Sequence, residues 1–156
     1  MRIAVIGESV ATKENYKNAE EVGALLSEKG ITLICGGLSG VMEAASKGAK
    51  SKGGQTIGIL PSLDFKDANK YIDIPIVTGI GHARNFLVVR NAQAIIAIGG
   101  WHGTLTEIGY ALDAELPVIG LNTWQLEQKT HPPEKKGIYY VQTPKEAVDL
   151  AIKLAK

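Results

Sequence analysis

Short apolar segments alternate with longer segments of helical periodicity along the chain. Runs of β-branched and aliphatic residues, mostly apolar on both faces, are typical of parallel strands that helices cover on both sides. Such runs predict strands at Arg2–Gly7, Ile31–Cys35, Gln55–Leu60, Tyr71–Val77, Ala92–Ile98, Pro117–Leu121 and Ile138–Val141. The order of these runs indicates a parallel sheet built from strand–helix–strand units.

Apolar residues at helical spacing fill the segments between these strands. They predict helices at Glu14–Lys29, Val41–Lys52, His82–Asn91, Thr104–Glu115 and Pro144–Ala155. Gly30 stands where a helix C-cap belongs, and Thr143 is the expected N-cap of the last helix. We therefore predict one domain, residues 1–156, with an α/β fold: a three-layer Rossmann-like sandwich around a mostly parallel central sheet.

Two polar segments, Pro61–Lys70 and Asn122–Gly137, interrupt this pattern and are predicted to be loops. The second holds Pro132 and Pro133, and a loop of its length often serves as a lid or an interface element.

Composition and charge narrow the classes of partner. The formal charge of the 156 residues is +1, so there is no basic field for binding a nucleic-acid backbone. The N-terminal segment has the pattern of neither a signal nor a transit peptide, and no apolar run is long enough for a membrane span. We expect a cytoplasmic protein that binds neither membrane nor nucleic acid. The lone Cys35 ends an apolar strand and is expected to be a small buried residue rather than a nucleophile.

Turns that contain glycine follow four of the predicted strands. Their sequences are Gly7-Glu8-Ser9, Gly36 to Gly40, Gly79 to Arg84, and Gly99 to Thr104. Because ligands bind beyond the carboxyl ends of parallel strands, these turns converge on one candidate site. Two of them open directly onto helices, at Gly40 and Thr104, where free N–H groups attract anions. The pattern favours a small phosphate-bearing ligand.

The common phosphate and metal motifs do not occur at these turns. The first turn lacks the G-x-G-x-x-G fingerprint of dinucleotide-binding folds, and no glycine loop ends in the Gly-Lys-Ser/Thr of a P-loop. His82, His102 and His131 lack the spacing of metal ligands. We expect no metal and no required cofactor.

Two charged residues beside the glycine turns each allow two interpretations. Arg84 begins a predicted helix, where the dipole disfavours a cation, so it either faces an anion or is a surface residue paired with a carboxylate. Glu107 closes the segment Thr104-Leu105-Thr106-Glu107, which matches a capping box. By local pattern alone, Glu107 would be structural.

Three segments carry a resemblance to a known family: "ICGGLSGVMEAASKGAKSKGGQTIGILP", "GHARNFLVVRNAQAIIAIGG" and "GTLTEIGYAL". They resemble the LOG proteins, which are cytokinin riboside 5'-monophosphate phosphoribohydrolases often labelled lysine decarboxylase-like. They also resemble the related molybdenum cofactor carrier proteins and DNA-processing-protein-like proteins. The resemblance covers roughly Ile3 to Leu121.

The LOG motif P-G-G-x-G-T-x-x-E aligns without gaps. Gly103, Thr104 and Glu107 fall on its G, T and E, Gly100 falls on its first glycine, and Arg84 falls on the upstream arginine. The chain departs from the motif in three places, with Gly99 at the proline, Trp101 at the second glycine and Asn85 at the upstream lysine. The Ala83-Arg84-Asn85 form and the missing proline look more like the carrier-related and DNA-processing-protein-like branches.

The resemblance implies an AMP-like ligand, with its phosphate on the loop at Gly103 and Thr104. It implies ribose and base near Gly36 to Met42, and Arg84 and Glu107 as the catalytic pair that cleaves the N-glycosidic bond to free base and ribose 5-phosphate. Trp101 would either narrow the phosphate site or supply a stacking face. The candidate binding residues are Gly7, Ser9, Gly36, Gly37, Ser39, Gly40, Met42, Gly100, Trp101, His102, Gly103 and Thr104.

The alternative function is a carrier that holds molybdenum cofactor or a nucleotide without turnover. The resemblance also implies a homo-oligomer, a dimer or tetramer, with the helix His82–Asn91 as the candidate contact. No lysine context typical of a pyridoxal-phosphate enzyme occurs, so we do not expect a decarboxylase.

Overall fold

Seven parallel strands form one sheet in the computed structural model, which describes residues 1–127 and 137–155. The order across the sheet is β4-β3-β2-β1-β5-β6-β7, and every neighbouring pair is parallel. The strands are β1 (Arg2–Gly7), β2 (Thr32–Cys35), β3 (Thr56–Leu60), β4 (Ile74–Val77), β5 (Ala94–Gly99), β6 (Val118–Thr123) and β7 (Tyr139–Val141). All seven predicted strands are confirmed.

Helices cover both faces of this sheet. They are α1 (Lys13–Glu28), α2 (Val41–Ser51), α3 (Asn85–Arg90), α4 (His102–Asp113) and α5 (Pro144–Leu154), with short 3₁₀ helices at Phe65–Asp67 and Gly81–Arg84. One core cluster joins the sheet to α1, α2 and α5, and a second joins it to α3 and α4. The predicted three-layer sandwich is therefore confirmed.

The central strand β1 shows why the apolar runs form this sheet. Ile3 and Val5 belong to the core cluster under α1, α2 and α5, whereas Ala4 and Ile6 belong to the cluster under α3 and α4. All four side chains are buried. Because successive side chains of a strand point to opposite faces, only a strand that is apolar at every position can lie between two helical layers.

Local capping signals set several helix ends as expected. Gly30 follows α1 with a φ of +69°, and its N–H donates to the Ser27 carbonyl at 2.9 Å. The Thr143 hydroxyl accepts from the Glu146 N–H at 3.2 Å, with Pro144 at the first position of α5. The predicted end of α1 and the predicted N-cap of α5 are both confirmed.

Some predicted boundaries are corrected. The helix predicted at His82–Asn91 is a 3₁₀ turn, Gly81–Arg84, followed by α3. The predicted loop Asn122–Gly137 begins inside β6, and its residues 128–136, with His131 and both prolines, lie outside the described residues. Within the described part of the chain, no helix combines the length and apolarity of a bilayer span.

Candidate functional site

A cavity of about 190 Å³ lies at the carboxyl ends of β1, β2 and β5. The 3₁₀ turn before α3 and the first turns of α4 close it from the other side. Nine residues proposed from the sequence line it: Gly7, Ser9, Gly36, Met42, Arg84, Trp101, Gly103, Thr104 and Glu107. The expected convergence of the glycine turns at one sheet edge is thus observed, while ligand binding by these residues stays a prediction.

Arg84 and Glu107 form a buried ion pair on the wall of this cavity. Arg84 Nη1 lies 3.6 Å from Glu107 Oε1, and each residue is 6% exposed. The guanidinium lies so close to Gly36 that a Cβ there would be 2.5 Å from both Nη atoms. The interpretation of Arg84 as a surface residue is wrong, because the glycine after β2 lets its side chain lie inside the fold.

The Arg84 guanidinium is incompletely paired. Its buried Nε has no hydrogen-bond partner among the described residues. A buried donor without a partner carries a cost of about 1–3 kcal/mol. An anion or polar ligand group in the cavity is one natural partner for such a donor.

Burial perturbs both members of the pair. Burial raises the pKa of the Glu107 carboxyl to about 7, and the positive charge of Arg84 opposes that rise. Burial likewise lowers the pKa of the Arg84 guanidinium, and Glu107 opposes that change. A carboxyl with a pKa near 7 can both accept and donate a proton at neutral pH, which is the property of a general acid or base.

The start of α4 differs from the capping-box prediction. The helix begins at His102 with Trp101 at the N-cap position, and no side chain in the described part of the chain caps it. The Leu105 N–H is bonded to the Trp101 carbonyl, so Thr104 is already inside the first turn. The capping box is wrong: Thr104 is not the cap, and the Glu107 carboxyl is turned into the buried pair with Arg84.

The start of α4 has no side-chain cap among the described residues, and it lies beside the cavity. The first N–H groups of a helix have no acceptor within the helix. Gly103 and Thr104 lie in this turn and line the cavity. Together with the helix dipole, these N–H groups offer a place for an anion next to Arg84.

Glu8 is a residue of the site that the sequence analysis left out. One of its carboxylate oxygens accepts from the Gly100 N–H at 3.0 Å, and the other accepts from Asn15 Nδ2 at 2.8 Å. Glu8 follows β1 directly, between Gly7 and Ser9, and this position at the sheet edge was the available signal. Because its carboxylate occupies the Gly100 N–H, that part of the glycine loop is not free for a phosphate.

Asn85 also lines the cavity, although it was named only as a departure from the LOG motif and not as a candidate binding residue. It stands at the position of the LOG lysine, and its amide Nδ2 donates to the Gly103 carbonyl at 3.3 Å and to Thr106 Oγ1 at 3.2 Å. A neutral amide thus ties α3 to the start of α4. Its place beside Arg84, at the position of the LOG lysine, was the available signal.

Three proposed binding residues, Gly37, Ser39 and Gly40, line neither this cavity nor the adjoining cleft that holds Gly100 and His102. Ser39 Oγ donates to the Ser9 carbonyl at 2.9 Å, which fixes the turn after β1. Gly40, with a φ of +67°, lies so close to this turn that a Cβ would be 2.3 Å from the Glu8 carbonyl. Gly37 turns toward β3, where a Cβ would be 2.6 Å from Leu60 Cδ2. These residues shape the neighbouring turns and do not face the cavity.

Trp101 neither fills nor closes the cavity. Its side chain is 72% exposed and lies between this cavity and an adjoining cleft of about 430 Å³. Gly100 and His102, both proposed from the sequence, line that cleft instead.

The fold and this site define a Rossmann-like protein with a small polar cavity at the carboxyl edge of a parallel sheet. The chain matches the SLOG cluster4 family over residues 1–148 and belongs to that family.

Three proteins illustrate what the chain is similar to. An uncharacterized protein of Archaeoglobus fulgidus is 44% identical over 153 residues, which cover 97% of this chain and 95% of that protein. The molybdenum cofactor binding protein from Rippkaea orientalis is 35% identical, with a TM-score of 0.87 and 97% and 95% of the two chains covered. The cytokinin riboside 5'-monophosphate phosphoribohydrolase of Mycobacterium tuberculosis is 31% identical over 115 residues. That match covers 68% of this chain and 62% of the enzyme.

Proposed function

We propose that this protein hydrolyses the N-glycosidic bond of a nucleoside 5'-monophosphate, with Arg84 and Glu107 as the catalytic pair. The observation that carries the proposal is the buried ion pair itself. One cavity holds a carboxyl whose pKa is raised to about 7 and an arginine whose Nε has no hydrogen-bond partner within residues 1–127 and 137–155. The N-terminus of α4 lies beside both groups. Perturbed titratable groups of this kind concentrate at functional sites.

The phosphate of the substrate would bind at the start of α4. The N–H groups of Gly103 and Thr104 and the helix dipole supply the anion site. The cavity of about 190 Å³ is smaller than the roughly 300–1,000 Å³ of typical ligand pockets. It therefore suits the sugar phosphate, with the base extending toward the opening.

Hydrolysis would use Glu107 twice. The bond between C1' and the base nitrogen breaks, its electron pair leaves with the base, and the sugar gains oxocarbenium character. The Glu107 carboxylate takes a proton from the attacking water, whose oxygen bonds to C1', and then returns that proton to the departing base. The positive charge of Arg84 keeps a fraction of the Glu107 carboxyl groups ionised. Its guanidinium would also orient the substrate. The products are the free base and ribose 5-phosphate.

A second candidate function is a carrier that binds molybdenum cofactor without turnover. One observation favours it. The similarity to the Rippkaea orientalis binding protein spans 97% of the chain, whereas the similarity to the mycobacterial hydrolase spans 68%.

One assay separates the two candidates. The protein is incubated with a panel of nucleoside 5'-monophosphates, and free base is measured by chromatography for wild type, Glu107→Gln and Arg84→Ala. Release by wild type that falls at least 100-fold in both variants supports the hydrolase. The exposed Glu21→Gln variant is the matched control and should equal wild type. No release from any nucleotide, with stoichiometric retention of molybdenum cofactor, overturns the hydrolase in favour of the carrier.

A further inference from the structure

A second cleft, of about 430 Å³, opens beside the cavity that holds Arg84 and Glu107. The two share Glu8 and Trp101 in their lining. It lies at the carboxyl ends of β1, β5 and β6. We call it the aromatic cleft and define it by Glu8, Asn15, Trp101, His102, Asn122 and Trp124. The hydrolytic chemistry proposed above uses none of the side chains that this cleft adds.

Three aromatic rings line the aromatic cleft, with His102 between Trp101 and Trp124. The His102 ring lies 5.4 Å from the Trp101 ring and 6.4 Å from the Trp124 ring, and its plane is within 28° of the Trp124 plane. Trp124 Nε1 donates to the Trp101 carbonyl at 3.3 Å, which holds the two segments together. Trp101 is 72% exposed, so its ring offers a face on which a planar ring can stack.

The polar side of the cleft is an oriented carboxylate. The two hydrogen bonds that Glu8 accepts, from Gly100 and Asn15, use one lone pair of each oxygen. Asn15 is 4% exposed and is held in turn by Asn122, whose Nδ2 donates to Asn15 Oδ1 at 2.7 Å. Because each carboxylate oxygen can accept more than one hydrogen bond, Glu8 keeps the capacity to accept two parallel donors from a ligand.

The backbone at this cleft departs from regular strand geometry. The pairing of β5 with β6 shifts register between Ile98 and Gly99, and Asn122 adopts a φ of +51°. Thr123 Oγ1 donates to the Gly99 carbonyl across this irregularity. Bulges and left-handed residues are common next to binding sites, where they redirect side chains, and here they accompany the turn that carries Asn122 and Trp124.

We propose that the aromatic cleft binds a planar heterocycle with a 2-amino-4-oxopyrimidine edge, stacked on Trp101 and paired through that edge with Glu8. This edge presents a ring N–H and an amino group side by side, which match the two oxygens of a carboxylate. Guanine and pterins share this edge, whereas adenine places an acceptor beside its amino group and does not match.

The test measures binding of phosphate-free probes by isothermal titration calorimetry. Guanosine, pterin and adenosine are titrated into wild type and into Glu8→Gln, Trp101→Ala and the control Glu21→Gln. We expect guanosine or pterin to bind at least tenfold more tightly than adenosine. Glu8→Gln should remove this preference, Trp101→Ala should weaken binding of the preferred ring about tenfold, and Glu21→Gln should change neither.

Comparing guanosine with pterin shows which compound supplies the 2-amino-4-oxopyrimidine edge. Pterin bound more tightly than guanosine assigns a pterin, and the reverse assigns a guanine compound. Equal affinity for adenosine, unchanged preference in Glu8→Gln, or no binding of any ring overturns the proposal. A far-UV circular dichroism spectrum like that of wild type and a single cooperative urea transition verify that the Glu8→Gln variant is folded. Since no readout involves base release, failure of this proposal and failure of the hydrolase proposal are distinguishable.

Discussion

Replacing Glu107 by glutamine is expected to change how the stability of the protein depends on pH. Burial raises the pKa of this carboxyl from 4.5 to about 7 in the folded protein. A group with a raised folded pKa binds its proton more tightly in the folded than in the unfolded state. Its contribution to stability is therefore complete below pH 4.5 and is lost as the pH rises through about 7.

The size of this effect follows from the two pKa values. One pKa unit corresponds to about 1.4 kcal/mol, so the change from 4.5 to about 7 corresponds to about 3 kcal/mol. The free energy of unfolding of wild type should fall by this amount as the pH rises from 4.5 through about 7. Changes that come from its other titrating groups add to this loss. Glu107→Gln has no proton to lose, so the free energy of unfolding of the variant, relative to wild type, should rise by about 3 kcal/mol over the same interval.

Urea unfolding followed by circular dichroism at several pH values from about 4.5 to 8.5 measures this difference. The control is Glu21→Gln, which makes the same chemical change on the exposed face of α1 and should track wild type at every pH. Free energies of unfolding for wild type and Glu107→Gln that stay parallel across the interval would refute the reasoning. They would mean that burial does not raise the pKa of the Glu107 carboxyl above its ordinary value.

Three further predictions test other parts of the structure. In Gly36→Ala the new Cβ would lie 2.5 Å from both Arg84 Nη atoms and displace the guanidinium, so phosphate affinity measured by calorimetry should fall at least tenfold. Gly109→Ala, in open space on α4, should leave that affinity unchanged and add about 0.5–1 kcal/mol of stability. Thr143→Ala removes the N-cap of α5 and should cost about 1 kcal/mol in urea unfolding, and no loss would contradict the capping role. Burial raises the pKa of the Cys35 thiol, so this thiol should react with a colorimetric thiol reagent only in denaturant; rapid reaction of the folded protein would show that it is accessible.

Most of the architecture could be predicted from the sequence. Apolar runs such as Arg2–Gly7 predicted strands covered on both faces, and glycine turns after four strands predicted a site at one sheet edge. Gly30 and Thr143 predicted helix ends correctly. These features depend on side-chain periodicity and on the conformational preferences of single residues, which the sequence carries directly.

Only the tertiary structure decided the chemistry of the candidate site. Thr104-Leu105-Thr106-Glu107 has the pattern of a capping box, yet α4 begins at His102 and the Glu107 carboxyl meets Arg84. Glu8 looked like an ordinary turn residue and proved to bind the Gly100 N–H. The physical reason is that burial, pairing and pKa depend on which distant segments the fold brings within a few ångströms. A local pattern names the groups present, and the packing of α3 and α4 against the sheet determines what these groups can do.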